Sequence, residues 1–439
     1  MSILYGGEVN DRLQTLDAHE ASAFVHQDAL RTHRHKRLIT EVYPHPIRKN
    51  AASGKHHYFE GLTYRFLANF PESQGLDVMS DGVPVITFTA SMRHRDFADR
   101  SKFDSLLFTG DPSCEAWDQP AKRTPFVYCA PVAVPALGAD TIIARGVYLV
   151  EKDKGLTYSP DDGKCIWAYC RSDDRGHTWG EIIPQPLLDD GRDGAGDLCH
   201  QPWVEGADLT FGLAIPREPA SGDEYPDGRL NGQTILRTYH ADKNTWDEPV
   251  FLPAEWCTSE CSVVRAQNGD LVVALRHKDP SIPSENDGWR NIVTSWSSDN
   301  GRTWAEPQAF FRFGRVHANI TVLPDGRLVM THAARIGELD RRIYGGVEAV
   351  VSEDHGRTWD WDGRYILFRC PQGFKLFNPR TVRLADGRLM TAIYNYTTYT
   401  WTDLKKEDAP ENWNDTLLLP HANYLGLGNV MVVIWELQD

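Results

Sequence analysis

The sequence predicts an all-β chain folded as a six-bladed β-propeller, and three observations lead there. A turn-like pattern, Ser-x-Asp-x-Gly-x-Thr-Trp, occurs three times. Asp-Gly or Asn-Gly hairpin signals recur out of phase with it, and the tryptophans mark the same period independently. Internal repeats of this kind decide the architecture before any local reading does.

The three copies span Ser172 to Trp179, Ser297 to Trp304 and Ser352 to Trp359, each just after a short apolar, β-prone run. Their chemistry is that of a tight turn. The Asp carboxylate can accept backbone N–H bonds, the Gly can take φ > 0, and the Trp can cover the turn with a large apolar face. None of these roles is catalytic, so the repeat reports the scaffold.

The hairpin signal places glycines at 82, 269, 326 and 387, as in Leu323-Pro-Asp-Gly-Arg-Leu-Val-Met. Asp-Gly and Asn-Gly between apolar runs are the strongest short hairpin signal. The last two gaps are 57 and 61 residues, while the first, 187, is about three such periods; Gly138 and Gly206 are the expected missing turns. Trp117, Trp179, Trp246, Trp304 and Trp359 are separated by 62, 67, 58 and 55 residues, which gives the same count. Units of about 60 residues with four short strands are propeller blades. Six hairpins predict six blades; seven is the alternative, should residues 1–60 hold a complete blade. The whole chain, 1–439, is expected to be one domain. A strand near Gly428–Leu437 is expected in the sixth blade, and a strand near Lys36–Tyr43 is expected to complete it.

Composition narrows the partners. The chain has 46 Lys and Arg against 61 Asp and Glu, a net charge of −15. That balance argues against nucleic acid or an anionic membrane, because no cation excess exists to neutralise phosphates. No run of 18 apolar residues appears and the N-terminus shows no secretion signal. Eight scattered cysteines do not outline a disulfide framework, so a cytoplasmic location is the expectation.

Aligning the hairpins on their glycines shows which residues share one blade end. Nine positions before the glycine stand Glu260, His317 and Asn378; seven positions after it stand Arg276, Ala333 and Tyr394. In the less regular blades the corresponding regions hold Tyr64-Arg65, Arg93-His94-Arg95-Asp96, His200-Gln201 and Pro216-Arg217. Polar groups gathered at a propeller axis form the concave, mixed-charge setting in which binding and catalysis are usual.

The three full repeats resemble the Asp boxes of the sialidase family. The segment Glu260-Cys-Ser-Val-Val-Arg-Ala-Gln-Asn-Gly-Asp-Leu-Val-Val-Ala-Leu-Arg276 is similar to the family segment in which a glutamate opens one strand and an arginine ends the next. The resemblance implies three arginines that clamp a substrate carboxylate, a tyrosine nucleophile activated by the glutamate, and an aspartate for the acid and base steps. Fork-shaped guanidinium groups suit a carboxylate, and paired acid–base groups suit glycoside cleavage. Carried over, the resemblance makes Arg276 a clamp and Glu260 the activator. Arg65 stands for the first arginine, Arg335, Arg341 or Arg342 for the third, and Asp96 or Asp99 for the aspartate. The expected tyrosine position instead reads Phe377-Asn378-Pro379, and Tyr394 or Tyr396, one strand away, is the substitute.

The resemblance and the residues together lead to an exo-glycoside hydrolase acting on an acidic glycan. Two alternatives stay open. A β-elimination lyase would use Arg276 and Asn378 to neutralise a carboxylate and His317, His200 or Tyr394 as base. A propeller that binds glycans without catalysis would use the same pocket. Plain structural readings stand beside these: Glu260 and Arg276 pairing with each other, and His317 and His200 as satisfied polar groups. No cofactor is expected. Cys199, His200, Cys257, Cys261 and His317 match no zinc spacing, so no metal site is expected either.

Overall fold

The computed structural model describes residues 37–38, 74–91, 103–112, 122–126, 128–149, 165–189, 202–216, 232–256, 258–277, 290–311, 314–339, 342–361, 363–371, 374–397 and 429–437. These form six sheets, antiparallel but for the short Arg37–Leu38 pairing, which are the blades of an all-β six-bladed propeller. Blade 1 comprises Gln74–Val78, Pro84–Ser91, Phe103–Thr109 and Lys122–Arg123. Blade 2 comprises Tyr128–Ala133, Ile142–Leu149, Cys165–Ser172 and Ile183–Pro184. Blade 3 has Trp203–Glu205, Asp208–Pro216, Gly232–His240, Thr245–Trp246 and Val250–Phe251. Blade 4 has Thr258–Arg265, Leu271–His277, Asn291–Ser297 and Gln308–Ala309. Blade 5 has Arg315–Val322, Leu328–Leu339, Arg342–Ser352 and Tyr365–Pro371. Blade 6 has Phe374–Arg383, Leu389–Thr397 and Asn429–Trp435. The six expected hairpin glycines all adopt positive φ, including the two inferred from spacing alone, Gly138 and Gly206. Arg37–Leu38 runs parallel beside Tyr365–Ile366 on blade 5, where a place in the sixth blade was expected; the rest of 36–43 lies outside the described residues, as does Trp117. Among the described residues no helix is long and apolar enough to cross a membrane.

The chain divides into two compact units. One holds residues 1–40, 187–197 and 209–372, and with them blades 4 and 5 and nearly all of blade 3. The other holds 41–186, 198–208 and 373–439, and with them blades 1, 2 and 6.

Each Ser-x-Asp-x-Gly-x-Thr repeat closes on itself in the same way. In the third copy the Ser352 hydroxyl donates to Asp354 at 2.9 Å and accepts from the Gly356 N–H at 2.8 Å. The Thr358 N–H and hydroxyl donate to the two Asp354 oxygens at 2.8 and 2.6 Å. The copies at Ser172 and Ser297 repeat these bonds. Those bonds hold the carboxylates of Asp174 and Asp299 down at about 2. The repeat also faces outward from its own blade. A Cβ on Gly356 would lie 2.5 Å from Val272 of blade 4, one on Gly301 2.9 Å from Val250 of blade 3, and one on Gly176 3.2 Å from Leu107 of blade 1. In all three the turn is pressed onto the preceding blade. Arg357 pairs with Asp270, and Arg175 with Asp81 at 2.6 Å, across the same junctions.

First strands also lie side by side. Between blades 4 and 5 the Ile320 N–H donates to the Ser262 hydroxyl at 2.9 Å. Between blades 3 and 4 the contact comes from the third strand of blade 3, where Thr234 bonds the Thr258 hydroxyl at 2.8 Å and its own hydroxyl donates to the Ser259 carbonyl at 2.9 Å. One face of blade 5 buries a charged cluster. Arg315 makes two bonds to Glu348, at 2.8 and 3.2 Å, with Arg364 at 3.5 Å and His332 at 3.7 Å from the same carboxylate. Arg315 stacks on Phe311, and Trp361 packs against both Phe311 and His332. Glu348, Arg364 and His332 are wholly buried. Burial pushes the His332 imidazole down to about 4, against the opposing pull of Glu348, so the ring is neutral.

The first strands of blades 4, 5 and 6 share a β-bulge. Pairing skips from Thr258 to Cys261, from Val316 to Asn319, and from Phe377 to Arg380. The ninth residue before the hairpin glycine falls inside the bulge each time: Glu260, His317 and Asn378. A bulge places two residues opposite one and re-aims a side chain out of the strand's alternation. His317 pays for this with φ = +56°, a left-handed backbone that non-glycine residues seldom adopt.

Three measurements test these points. Gly356→Ala and Gly269→Ala both impose φ near +90°, but only the first also meets a neighbour; nothing lies within 4 Å of a Cβ on Gly269. Chemical denaturation should show Gly356→Ala the more destabilised, by about 1–3 kcal/mol, the usual cost of overpacking; equal losses would remove the inter-blade role. At position 317 the ordinary strand preference for Ala over Gly should invert, with His317→Gly more stable than His317→Ala by about 1 kcal/mol. Finally, below about pH 6.5 the unfolded chain takes up a proton at His332 that the folded chain refuses until about pH 4. Stability therefore falls across that window as pH drops, by up to about 3 kcal/mol from this group. Urea midpoints in His332→Phe should fall less steeply between those pH values than in the parent.

Candidate functional site

Four of the residues singled out from the sequence are joined in one chain of contacts. Arg276 Nη1 donates to Glu260 Oε1, which lies 3.8 Å from His317 Nδ1, while Arg335 Nη2 lies 3.2 Å from His317 Nε2. The Ser259 hydroxyl donates to the other Glu260 oxygen at 2.9 Å. All four belong to blades 4 and 5 of one unit.

Local structure explains the meeting. Glu260 sits in the bulge of the first strand of blade 4, and Arg276 lies opposite that bulge on the second strand, between the pairs Cys261–Leu275 and Thr258–His277. His317 occupies the equivalent bulge of blade 5. Arg335 lies just beyond the regular pairing of the second strand, where a shift occurs between Ala334 and Gly337, and its N–H donates to the Gly314 carbonyl at 2.9 Å. Because the two first strands are bonded through Ser262 and Ile320, the two bulges face the same place.

Burial sets the strength of these contacts. His317 is 3% exposed, Glu260 and Arg335 7%, and Arg276 18%. Charges this far from water interact strongly, and loss of one partner leaves the other without its compensation. Arg276 is the most accessible of the four. The pairing of Glu260 with Arg276 is the plain structural reading of these residues. The His317 ring beside Glu260 and the Arg335 contact extend it into a cluster of one carboxylate, one imidazole and two guanidinium groups.

Other expected site residues are placed differently. Arg65, Asp96, Asp99 and His200 lie outside the described residues, as do Cys199, Cys257, Arg217 and Arg341. Asn378 lies in the bulge of the first strand of blade 6, and Tyr394 pairs with Phe377 at the edge of that bulge. Arg342 opens the third strand of blade 5. Cys261 is a buried thiol, pushed up by desolvation. Among the described residues no group of three His, Cys, Asp or Glu side chains could hold a metal ion. The Arg315–Glu348–Arg364 cluster escaped the sequence reading. Its one signal was a glutamate inside an apolar strand, Gly346-Val-Glu348-Ala-Val-Val.

Comparisons with known proteins agree with the architecture. Residues 156–361 match a family model described as a BNR repeat-like domain. No curated protein matches the chain. A protein of unknown function from Dyadobacter fermentans superposes with a TM-score of 0.55 at 15% identity, covering 83% of this chain and 94% of that one. The NanB sialidase from Streptococcus pneumoniae gives a TM-score of 0.54 at 11% identity, over 84% of this chain and 68% of the sialidase. An α-L-arabinanase from Penicillium chrysogenum, solved with arabinobiose, gives 0.51 at 10% identity, over 85% and 97%. Identities this low speak to fold and leave activity to the site. Residues 156–361 are thus similar to a BNR repeat-like domain, and the fold is the six-bladed propeller seen in sialidases and related glycosidases.

Proposed function

We propose that this protein is a glycoside hydrolase acting on a carboxylate-bearing glycan at the cluster formed by Arg276, Glu260, His317 and Arg335. The observation that carries the reading is the linked arrangement of a half-buried guanidinium, a carboxylate and an imidazole at paired bulges of neighbouring blades. Arg276, the exposed end of the chain, receives the substrate carboxylate, which guanidinium groups bind in forked geometry. Glu260, oriented by Ser259 and Arg276, transfers the proton that glycoside cleavage requires. The strained backbone at His317 supports a working site, since such outliers gather where function demands them.

The test is turnover of aryl glycosides of sialic and uronic acids by the full chain. Free acidic sugar should be released. Glu260→Gln should lower kcat by about 100-fold or more, the usual worth of a proton-transfer group. Arg276→Ala should lower kcat/KM by about 10- to 100-fold, and chiefly for acidic over neutral glycosides. A conjugated unsaturated uronate as product would replace hydrolysis with elimination. Unchanged turnover in both variants would remove the site.

A further inference from the structure

We infer that Arg335 is a positioning residue that fixes His317 as the neutral imidazole carrying its proton on Nδ1. The argument is one of donors and acceptors. A guanidinium has five N–H donors and no acceptor, so the 3.2 Å contact between Arg335 Nη2 and His317 Nε2 forms only when Nε2 presents its lone pair. A neutral ring with an unprotonated Nε2 carries its hydrogen on Nδ1. Nδ1 is the nitrogen turned toward Glu260, 3.8 Å from Oε1. Protonation at Nε2 would set an N–H against an N–H and break the Arg335 contact, in a site where His317 and Arg335 are almost wholly buried.

The charged groups facing His317 among the described residues are Glu260 and, through it, Arg276 from blade 4, and Arg335 from the second strand of its own blade. Glu260 favours an imidazolium, while Arg335 opposes it both by charge and by occupying the lone pair. With Arg335 in place His317 turns an N–H at Nδ1 toward Glu260, and the proton-accepting role falls to Glu260. The functional meaning rests on the reading of this cluster as the working site; the tautomer can be read without substrate.

The experiment is a pH series of histidine side-chain 15N spectra on the full chain, with the His317 signals identified as those lost in His317→Gln. The parent should show the Nδ1–H tautomer at neutral pH with no imidazolium. In Arg335→Met the midpoint of His317 should rise by at least about one pH unit, a tenfold gain in proton affinity, as expected when a neighbouring cation is removed. Arg335→Lys, which restores a cation but not the fork, should fall between the two. An Nε2–H tautomer or an imidazolium in the parent at pH 7 would overturn the assignment, as would an unmoved midpoint in Arg335→Met. Because the parent spectrum alone decides the tautomer, a poorly folded variant does not rescue the idea. Failure here would leave the Glu260 and Arg276 kinetics standing, and loss of those kinetics would leave the tautomer standing.

Discussion

The contact between one blade's repeat turn and the strand behind it is what the rest of the site depends on. Gly356 fits against Val272 because it has no side chain, and Arg357 reaches Asp270 beside it. That packing sets how closely blade 5 approaches blade 4. The approach brings the Ser262 hydroxyl within 2.9 Å of the Ile320 N–H, so the two first strands lie in fixed register. Only then do two bulges, each a local irregularity of its own blade, open toward one another. Glu260 and His317 thus meet between two blades that a glycine turn, packed on Val272 after the third strand of blade 5, helps to hold together.

The bulges also explain how one strand serves two environments. Arg315 and His317 are two residues apart and would share a face in a regular strand. Arg315 instead joins Glu348 in the dry cluster against Phe311, while the left-handed turn at His317 swings its ring toward Glu260. The buried Arg315–Glu348 pair is itself a fixed point: with two bonds and flanking aromatic rings, it leaves the start of the strand little freedom to straighten. The strain at residue 317 is held in place by the packing at residue 315, as over-determined backbone must be.

Much of this was legible in the sequence, and the boundary is physical. Turn chemistry is local, so the Asp-Gly and Asn-Gly dipeptides located the hairpins, and the spacing found Gly138 and Gly206 where the dipeptide was absent. Counting from those glycines brought Glu260, His317 and Asn378 to the same place in their blades, because a repeated architecture makes position in the repeat equivalent to position in space. What could not be read was anything set by neighbours distant in the chain. The bulge has no dipeptide signature, and the Arg315–Glu348–Arg364 cluster joins two strands and the residue that precedes a third. The contact between Arg335 and His317 joins residues from two strands and has no mark in the spacing of either. The placement of Arg37–Leu38 beside Tyr365–Ile366 likewise depends on which blade edge is at hand rather than on the residues themselves.

The division of labour within the cluster follows from the same donor count. A guanidinium has five donors and Arg276 gives Nη1 to Glu260, so a substrate carboxylate arriving there need not displace Glu260. On the proposed reading, Arg276 binds the acidic sugar while it orients Glu260. A neutral sugar would lack that contact with Arg276. His317 has no comparable freedom, because Arg335 holds its lone pair from the opposite side. An elimination with His317 as the base would first have to break that buried contact, whereas hydrolysis through Glu260 leaves it intact. On the proposed reading the cluster thus favours hydrolysis over elimination.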